Sequence, residues 1–401
     1  MSRRLALVPP RYGPDVVGGA ELVLREVGQG LAARGWDVEI LTTCARDHHT
    51  WANEYPAGVT SDGPLTIRRF PVVSDTSGAD RARVEAQLLA STFGDSAEWP
   101  TLGEQEDWIN DGLRVPELYH WVLDHEEEYR AIVVSPYPFW TTFAVGQIAP
   151  ERTLLRPCLH DEPYARLELF EPLFTGAAGV WLQTEPEREL AESRFAMPAH
   201  TAVVGEGVPV PEHYDPDGFR ARHGLGDRPF VLYGGRREGA KGWDGLLGDF
   251  ADAVRKEDLD LTLVTFGVGD VVPPPDVADR VVDLGFLADA ERDHAMAAAA
   301  AYLQPSALES FSRTIMEAWL AGTPVIANAA SAVVRWHCER SGAGLLFADR
   351  YELEQCLRFV ADAPDAAAAL AEPGREYVLA NYTWPATLDR MEATLEAWFP
   401  Q

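Results

Sequence analysis

Lysine is nearly absent from this sequence. Lys241 and Lys256 are the only two in 401 residues, and arginine supplies almost all the positive charge. A lysine at a chemically suggestive position therefore stands out from background. Cysteine is sparse. Cys44, Cys158, Cys338 and Cys356 are dispersed with no CxxC pair, which excludes a disulfide framework and a structural zinc site. No apolar run approaches the roughly 18–20 residues of a membrane span. The opening MSRRLALVPP has too short an apolar run for a signal peptide. The expected location is the cytoplasm. Lys/Arg runs are also missing, and the formal net charge is -29. That disfavours nucleic acid and anionic membrane surfaces as partners. GxGxxG is absent, so a dinucleotide site is disfavoured.

What is there reads as two βαβ series, hence α/β with parallel sheets. The first opens with a strand at Leu5 to Val8, a Pro/Gly-rich loop to Gly19, and a helix from Ala20 to Arg34. Leu22, Val23, Val27 and Leu31 form the helix's inner stripe. Further strands are predicted at 38–42, 65–73, 131–135, 153–156, 179–183 and 201–204, and a helix at 115–129. Residues 74–110 are polar with weak helical signal, and read as an insertion lying over a cleft or partly mobile. Thr184 to Glu187 reads as a capping box. The segment 205–218 is the richest Pro/Gly linker. It places the domain boundary, between 1–208 and 209 onward.

The second series starts at Phe230 to Tyr233 and continues with strands at 261–266, 280–284 and 300–303. After its first strand comes Gly234-Gly235-Arg236-Arg237-Glu238-Gly239-Ala240-Lys241-Gly242. Arg236 and Lys241 sit at a strand-to-helix turn, suited to grip a diphosphate. It is not a P-loop, because Ala240 precedes the lysine and Gly242 follows it. The stretch Gln304 to Ala327 reads as strand end, loop, helix from Ser310 to Leu320, turn, strand. Glu309 and Glu317 are eight apart, a little over two helical turns, so both can lie along one side. A helix start between two acids suits a nucleotide sugar, with diphosphate on the free N–H groups. An amphipathic helix with two solvated glutamates explains the same spacing. Gly18-Gly19 lets a ligand approach the backbone closely, or serves only a tight turn. Cys158 and His160 lack a third orienting group, so a Cys/His hydrolase is disfavoured. Asp258-Leu-Asp260 reads as solvated charge.

These separated motifs together resemble the retaining GT-B glycosyltransferases of the family 4 type, over almost the whole length. The marks are Gly18-Gly19-Ala20-Glu21, HDEPY at His160 to Tyr164, Gly235-Arg236 with Lys241-Gly242, the Glu309/Glu317 pair, and AWLAGTPVIAN. ESFS stands where commoner members have EGFG. The resemblance implies two Rossmann-like domains facing across a cleft, 1–208 and 209–384, with the C-terminal helix over about 385–401 crossing back to the first. The first would bind the acceptor and the second the nucleotide sugar. Arg236 and Lys241 would neutralise the leaving diphosphate, Glu309 would bind the donor sugar and Glu317 the ribose. The backbone of Ser310, Phe311, Ser312, Arg313 and Thr314 would hold phosphate and sugar oxygens. Gly18 and Gly19 would approach the diphosphate, and His160 the sugar C1. The base would lie near Leu287 and Asp289. A carboxylate at Asp289 either pairs with guanine donors, which leans to GDP, or caps a helix; the donor is expected to be of the GDP or UDP type. No metal or cofactor is implied. The acidic segment 74–128 points to a soluble small-molecule acceptor, with a lipid-linked glycan as the alternative. Trp99, Trp108, Trp121 and Trp140 are either sugar-stacking platforms or core. A non-catalytic nucleotide-sugar-binding protein is the alternative of another class.

Overall fold

Short, wholly apolar strands punctuated by glycine and proline demand burial on both faces, which a parallel sheet covered by helices supplies. The computed structural model, which describes residues 3–16, 18–73, 78–92 and 98–400, contains two such sheets. The chain divides into two compact units, Met1–Gly205 with Thr387–Gln401, and Glu206–Ala386.

The first unit holds β1 (Arg4–Val8), β2 (Asp37–Thr43), β3 (Gly58–Asp62), β4 (Leu65–Phe70), β5 (Ala131–Val134), β6 (Thr153–Leu155), β7 (Gly179–Leu182) and β8 (Thr201–Val203). Their order is β3-β4-β2-β1-β5-β6-β7-β8. All neighbours are parallel except the β3/β4 hairpin. Strand order reverses between β1 and β5, the switch point where ligands collect at the carboxyl ends of such sheets. The hairpin strand β3, Gly-Val-Thr-Ser-Asp, is solvent-facing and has no apolar pattern, so it was not expected.

Residues 74–110 depart from expectation. They contain two helices, Ala79–Thr92 and Leu102–Asn110, although 74–77 and 93–97 lie outside the described residues. Thr101 and Glu104 close a reciprocal capping box at the start of the second helix. Trp108 on that helix is buried and stacks on Tyr164 at 5.4 Å between ring centroids. It is therefore core rather than a sugar platform. Thr101→Ala removes an N-cap acceptor and should cost about 1 kcal/mol, read as a lower urea midpoint for one unfolding transition. Trp121 lies under the Arg68 guanidinium (3.7 Å to the ring centroid), and Trp140 Nε1 donates to Asn110 Oδ1 at 3.0 Å. Trp99 is exposed.

The second unit holds β9 (Phe230–Gly234), β10 (Thr262–Phe266), β11 (Val281–Asp283), β12 (Ala301–Gln304), β13 (Val325–Asn328) and β14 (Leu345–Phe347). All are parallel in the order β11-β10-β9-β12-β13-β14, with the switch point between β9 and β12. The core beneath is built on Phe311, Ile315, Trp319 and Tyr377. The helix after Tyr382 runs Trp384–Trp398. From Thr387 onward it is part of the first unit, where Trp181 Nε1 donates to Thr394 Oγ1 at 2.7 Å. Among the described residues no helix is long and apolar enough to cross a membrane.

Two local expectations change. In the helix Gly19–Ala33 the buried stripe includes Leu24 and Glu21, while Leu22 is only half-buried. The helix expected from Ser310 begins at Arg313 and runs to Leu320. Glu309 therefore lies in the loop before it, and the two acids do not ride one helix.

Candidate active site

Within the second unit, the loops after β9 and β12 are neighbours because their strands are. A helical turn at Gly239–Lys241 leads into the helix Trp243–Glu257 through Gly242. Gly242 has φ 74°, and a Cβ there would lie 2.5 Å from the Pro305 carbonyl oxygen. Only glycine lets these two loops close on each other. The closure brings Lys241 Nζ within 2.8 Å of Glu309 Oε1. Asn328 Nδ2 braces the second loop by donating to Pro305 O at 2.9 Å.

Arg236 takes a different course. Its side chain is exposed and pairs with Glu238 at 3.3 Å. The adjacent Arg237 is buried, donates to the carbonyls of Gly267 (3.1 Å) and Gly269 (2.8 Å), and pairs with Asp283. It ties the β9 loop to those after β10 and β11. Nothing in the sequence distinguishes Arg237 from Arg236, because two adjacent arginines carry no label saying which faces inward.

The helix Arg313–Leu320 starts from Ser312, whose φ of 71° is in the left-handed region. Phe311 is buried in the core, edge-on to His337 and Tyr382, so its side chain is spent on packing. Thr314 Oγ1 and Ser312 Oγ both accept from Gln304 Nε2, at 3.3 and 2.6 Å. Ser310 is half-buried next to Glu309. Glu317 lies 3.6 Å from Arg313 within the same helix. Beside Glu317 is Asp293, whose carboxyl is raised to about 6 by burial and by the Glu317 charge. Burial, then the Asp293 charge, pushes the Tyr214 hydroxyl to about 12. Asp293 was not singled out from sequence, since it sits amid ordinary helical charge.

Leu287 is buried in the core and Asp289 is the first residue of the helix Asp289–Ala298. Ala288 occupies the N-cap, and the exposed Asp289 carboxylate pairs with Arg292 at 3.2 Å. Asp289 is thus a first-turn acid rather than a cap.

In the first unit, Gly18 and Gly19 follow β1 at the start of the helix Gly19–Ala33. A side chain at Gly18 would run into the Glu21 carboxylate. That carboxylate is buried and accepts from Arg11 Nε (3.0 Å) and Nη2 (2.6 Å). Gly18 therefore makes room for an ion pair that holds the loop, whereas nothing lies within 4 Å of where a Gly19 side chain would start.

His160 follows β6. Its Nδ1 is 3.8 Å from Glu162, which accepts from Tyr137 Oη at 2.8 Å. Cys158 has φ 55°, and its Sγ is engaged by Arg156 Nη1 at 3.0 Å. Glu187, fully enclosed, accepts from Leu159 N (2.7 Å) and Gln183 N (2.5 Å). The expected capping box at Thr184 is thus half formed. Thr184 Oγ1 accepts from Glu187 N, while the Glu187 side chain turns to the loop that carries His160. Among the described residues, no group of three or more His, Cys, Asp or Glu side chains could hold a metal ion.

The family model described as Glycosyl transferases group 1 matches residues 228–362. D-inositol 3-phosphate glycosyltransferase 2 of Catenulispora acidiphila is 26% identical, over 96% of this chain and 93% of its own. D-inositol 3-phosphate glycosyltransferase of Frankia alni is 28% identical over 84% of each. Among solved structures, sucrose-phosphate synthase from Thermosynechococcus elongatus superposes with TM-score 0.74 at 20% identity, covering 99% of both chains. Anabaena HepE in complex with UDP-glucose does so with TM-score 0.70 at 17% identity, covering 98% of this chain and 99% of that one. These structural likenesses establish the fold.

Proposed function

We propose that this chain is a GT-B glycosyltransferase of the group 1 type and that it moves a sugar from a UDP- or GDP-type donor to a small polyhydroxyl acceptor with retention of anomeric configuration. The observation that carries the donor side is the Lys241–Glu309 pair at 2.8 Å, set at the switch point of the second sheet. A cation and a carboxylate side by side match the two ends of a sugar diphosphate, anionic phosphate and neutral hydroxyls. The names of the inositol-phosphate relatives support a small polyol-type acceptor.

In this mechanism the bond between the sugar C1 and the phosphate oxygen breaks with oxocarbenium character. Lys241 and the backbone N–H groups from Ser312 onward stabilise the charge growing on the leaving diphosphate, and the exposed Arg236 adds its charge by turning from Glu238 toward it. Two side-chain cations take the place a metal ion would otherwise fill. Glu309 accepts hydrogen bonds from the sugar and Glu317 from the ribose. The acceptor hydroxyl attacks C1 on the face the diphosphate leaves, and its proton passes to the departing phosphate oxygen. The first unit holds the acceptor and the second the donor. A base site beside Leu287 and Asp289 completes the donor pocket.

A thermal-shift panel of UDP-, GDP- and dTDP-sugars tests this. At a concentration of 100 Kd the matching donor adds about 2.7 kcal/mol to the native state, a rise of several degrees. No rise with any nucleotide would remove the donor assignment. An inverted anomer in the product, read by proton NMR, would remove the retaining mechanism.

A further inference from the structure

Ser312 occupies a backbone conformation that favours glycine, at φ 71° and ψ 68°. It is buried, as is Gln304 at the end of β12. Gln304 Nε2 donates to Ser312 Oγ at 2.6 Å and to Thr314 Oγ1 at 3.3 Å. Each hydroxyl oxygen is therefore an acceptor on that side, and must send its own proton elsewhere. Thr314 is hydrogen-bonded in turn to Tyr302, whose hydroxyl donates to Gly234 O at 3.0 Å. That line ends on the strand carrying the Arg236 and Lys241 loop. Among the described residues, Ser312 Oγ has no side-chain partner besides Gln304. A buried hydroxyl with an unspent proton, held at a strained backbone position, stands at the start of the helix Arg313–Leu320.

We infer that Ser312 is a donor-binding residue through its side chain, its hydroxyl donating to an anionic oxygen of the nucleoside diphosphate, and that Gln304 is the positioning residue that aims it. The inference rests on the donor site proposed above. It adds a side-chain contact where a glycine would offer backbone alone. Gln304 and Ser312 then form a matched pair: the serine hydroxyl anchors the turn that its own Cβ disfavours, and the glutamine keeps its proton turned outward.

The test is calorimetric titration of the full chain with UDP and GDP, using UMP and GMP as references. Ser312→Gly should keep or raise the melting temperature, since glycine fits the turn, yet bind the preferred diphosphate about tenfold more weakly, the size of one hydrogen bond to a charged group. Monophosphate affinity should stay within about twofold. Gln304→Leu, which leaves the serine in place, should reproduce the selective loss. Unchanged diphosphate affinity in Ser312→Gly overturns the inference. So does an equal loss for mono- and diphosphates, which a merely structural role would give. Wild-type protein that binds neither UDP nor GDP would instead sink the donor site itself.

Discussion

Lys241→Ala is expected to lower kcat/KM for transfer by about a thousandfold or more while leaving the fold intact. The magnitude follows from losing a preorganised charge aimed at the leaving group, and from what remains. Without the lysine, the Glu309 carboxylate, whose side chain is only 14% exposed, loses its countercharge where the diphosphate must sit. The variant thus exchanges attraction for repulsion. Glu309→Ala should also abolish transfer, but by a different route. It leaves the cation free for the diphosphate and removes the hydrogen-bond acceptor for the sugar. Nucleotide affinity should therefore fall in Lys241→Ala and hold or rise in Glu309→Ala, while both lose turnover. Circular dichroism and melting of both variants would verify the fold. Normal turnover in either would show that the pair is an ordinary surface ion pair, the kind worth little.

Much of this was legible from sequence because buried parallel strands write themselves as unbroken apolar runs. Leu5 to Val8 and the strand at Val231 are examples, with every residue from Leu5 to Val8 and from Phe230 to Tyr233 buried. Edge strand β3 was not legible, since a solvent-facing hairpin of Gly, Val, Thr, Ser and Asp carries neither run nor alternation. The start of the helix at Arg313 was misplaced for a related reason. Phe311 fits a helical stripe by spacing, but it is buried by the loop, and the left-handed turn at Ser312 breaks the helix between them. Local spacing brought Glu309 and Lys241 into suspicion separately. Their pairing depends on adjacency of β9 and β12, strands about seventy residues apart, and on Gly242 against Pro305. Gln304 and Arg237 are the same kind of omission, because their partners belong to other elements.

Glu187 shows most sharply what tertiary structure adds to a local motif, and it carries the second large expected effect. Burial raises its carboxyl from the model-peptide value of 4.5 to about 7, against the pull of the Gln183 and Leu159 N–H groups and of Arg156. A group whose folded pKa lies above its unfolded one lends stability that is fully present below about 4.5. That stability is lost as pH rises through about 7. That difference is worth about 3.4 kcal/mol in full. Glu187→Gln cannot titrate, and its amide turns one N–H toward a backbone donor, at a cost of about 1–3 kcal/mol. The variant should therefore be clearly less stable than wild type at pH 5. It should gain on wild type by about 2.5 kcal/mol between pH 5 and pH 8. Urea titrations of both proteins across that range, following the transition that Thr101→Ala also shifts, give the difference directly. A pH-independent gap would mean that the two N–H bonds and Arg156 keep the carboxylate charged throughout. The same residue fixes Leu159, next to His160, so the pH profile of turnover should change on its acid side in the variant. Loss of the loop anchor disturbs His160 where the neutral carboxyl of the wild type still holds it.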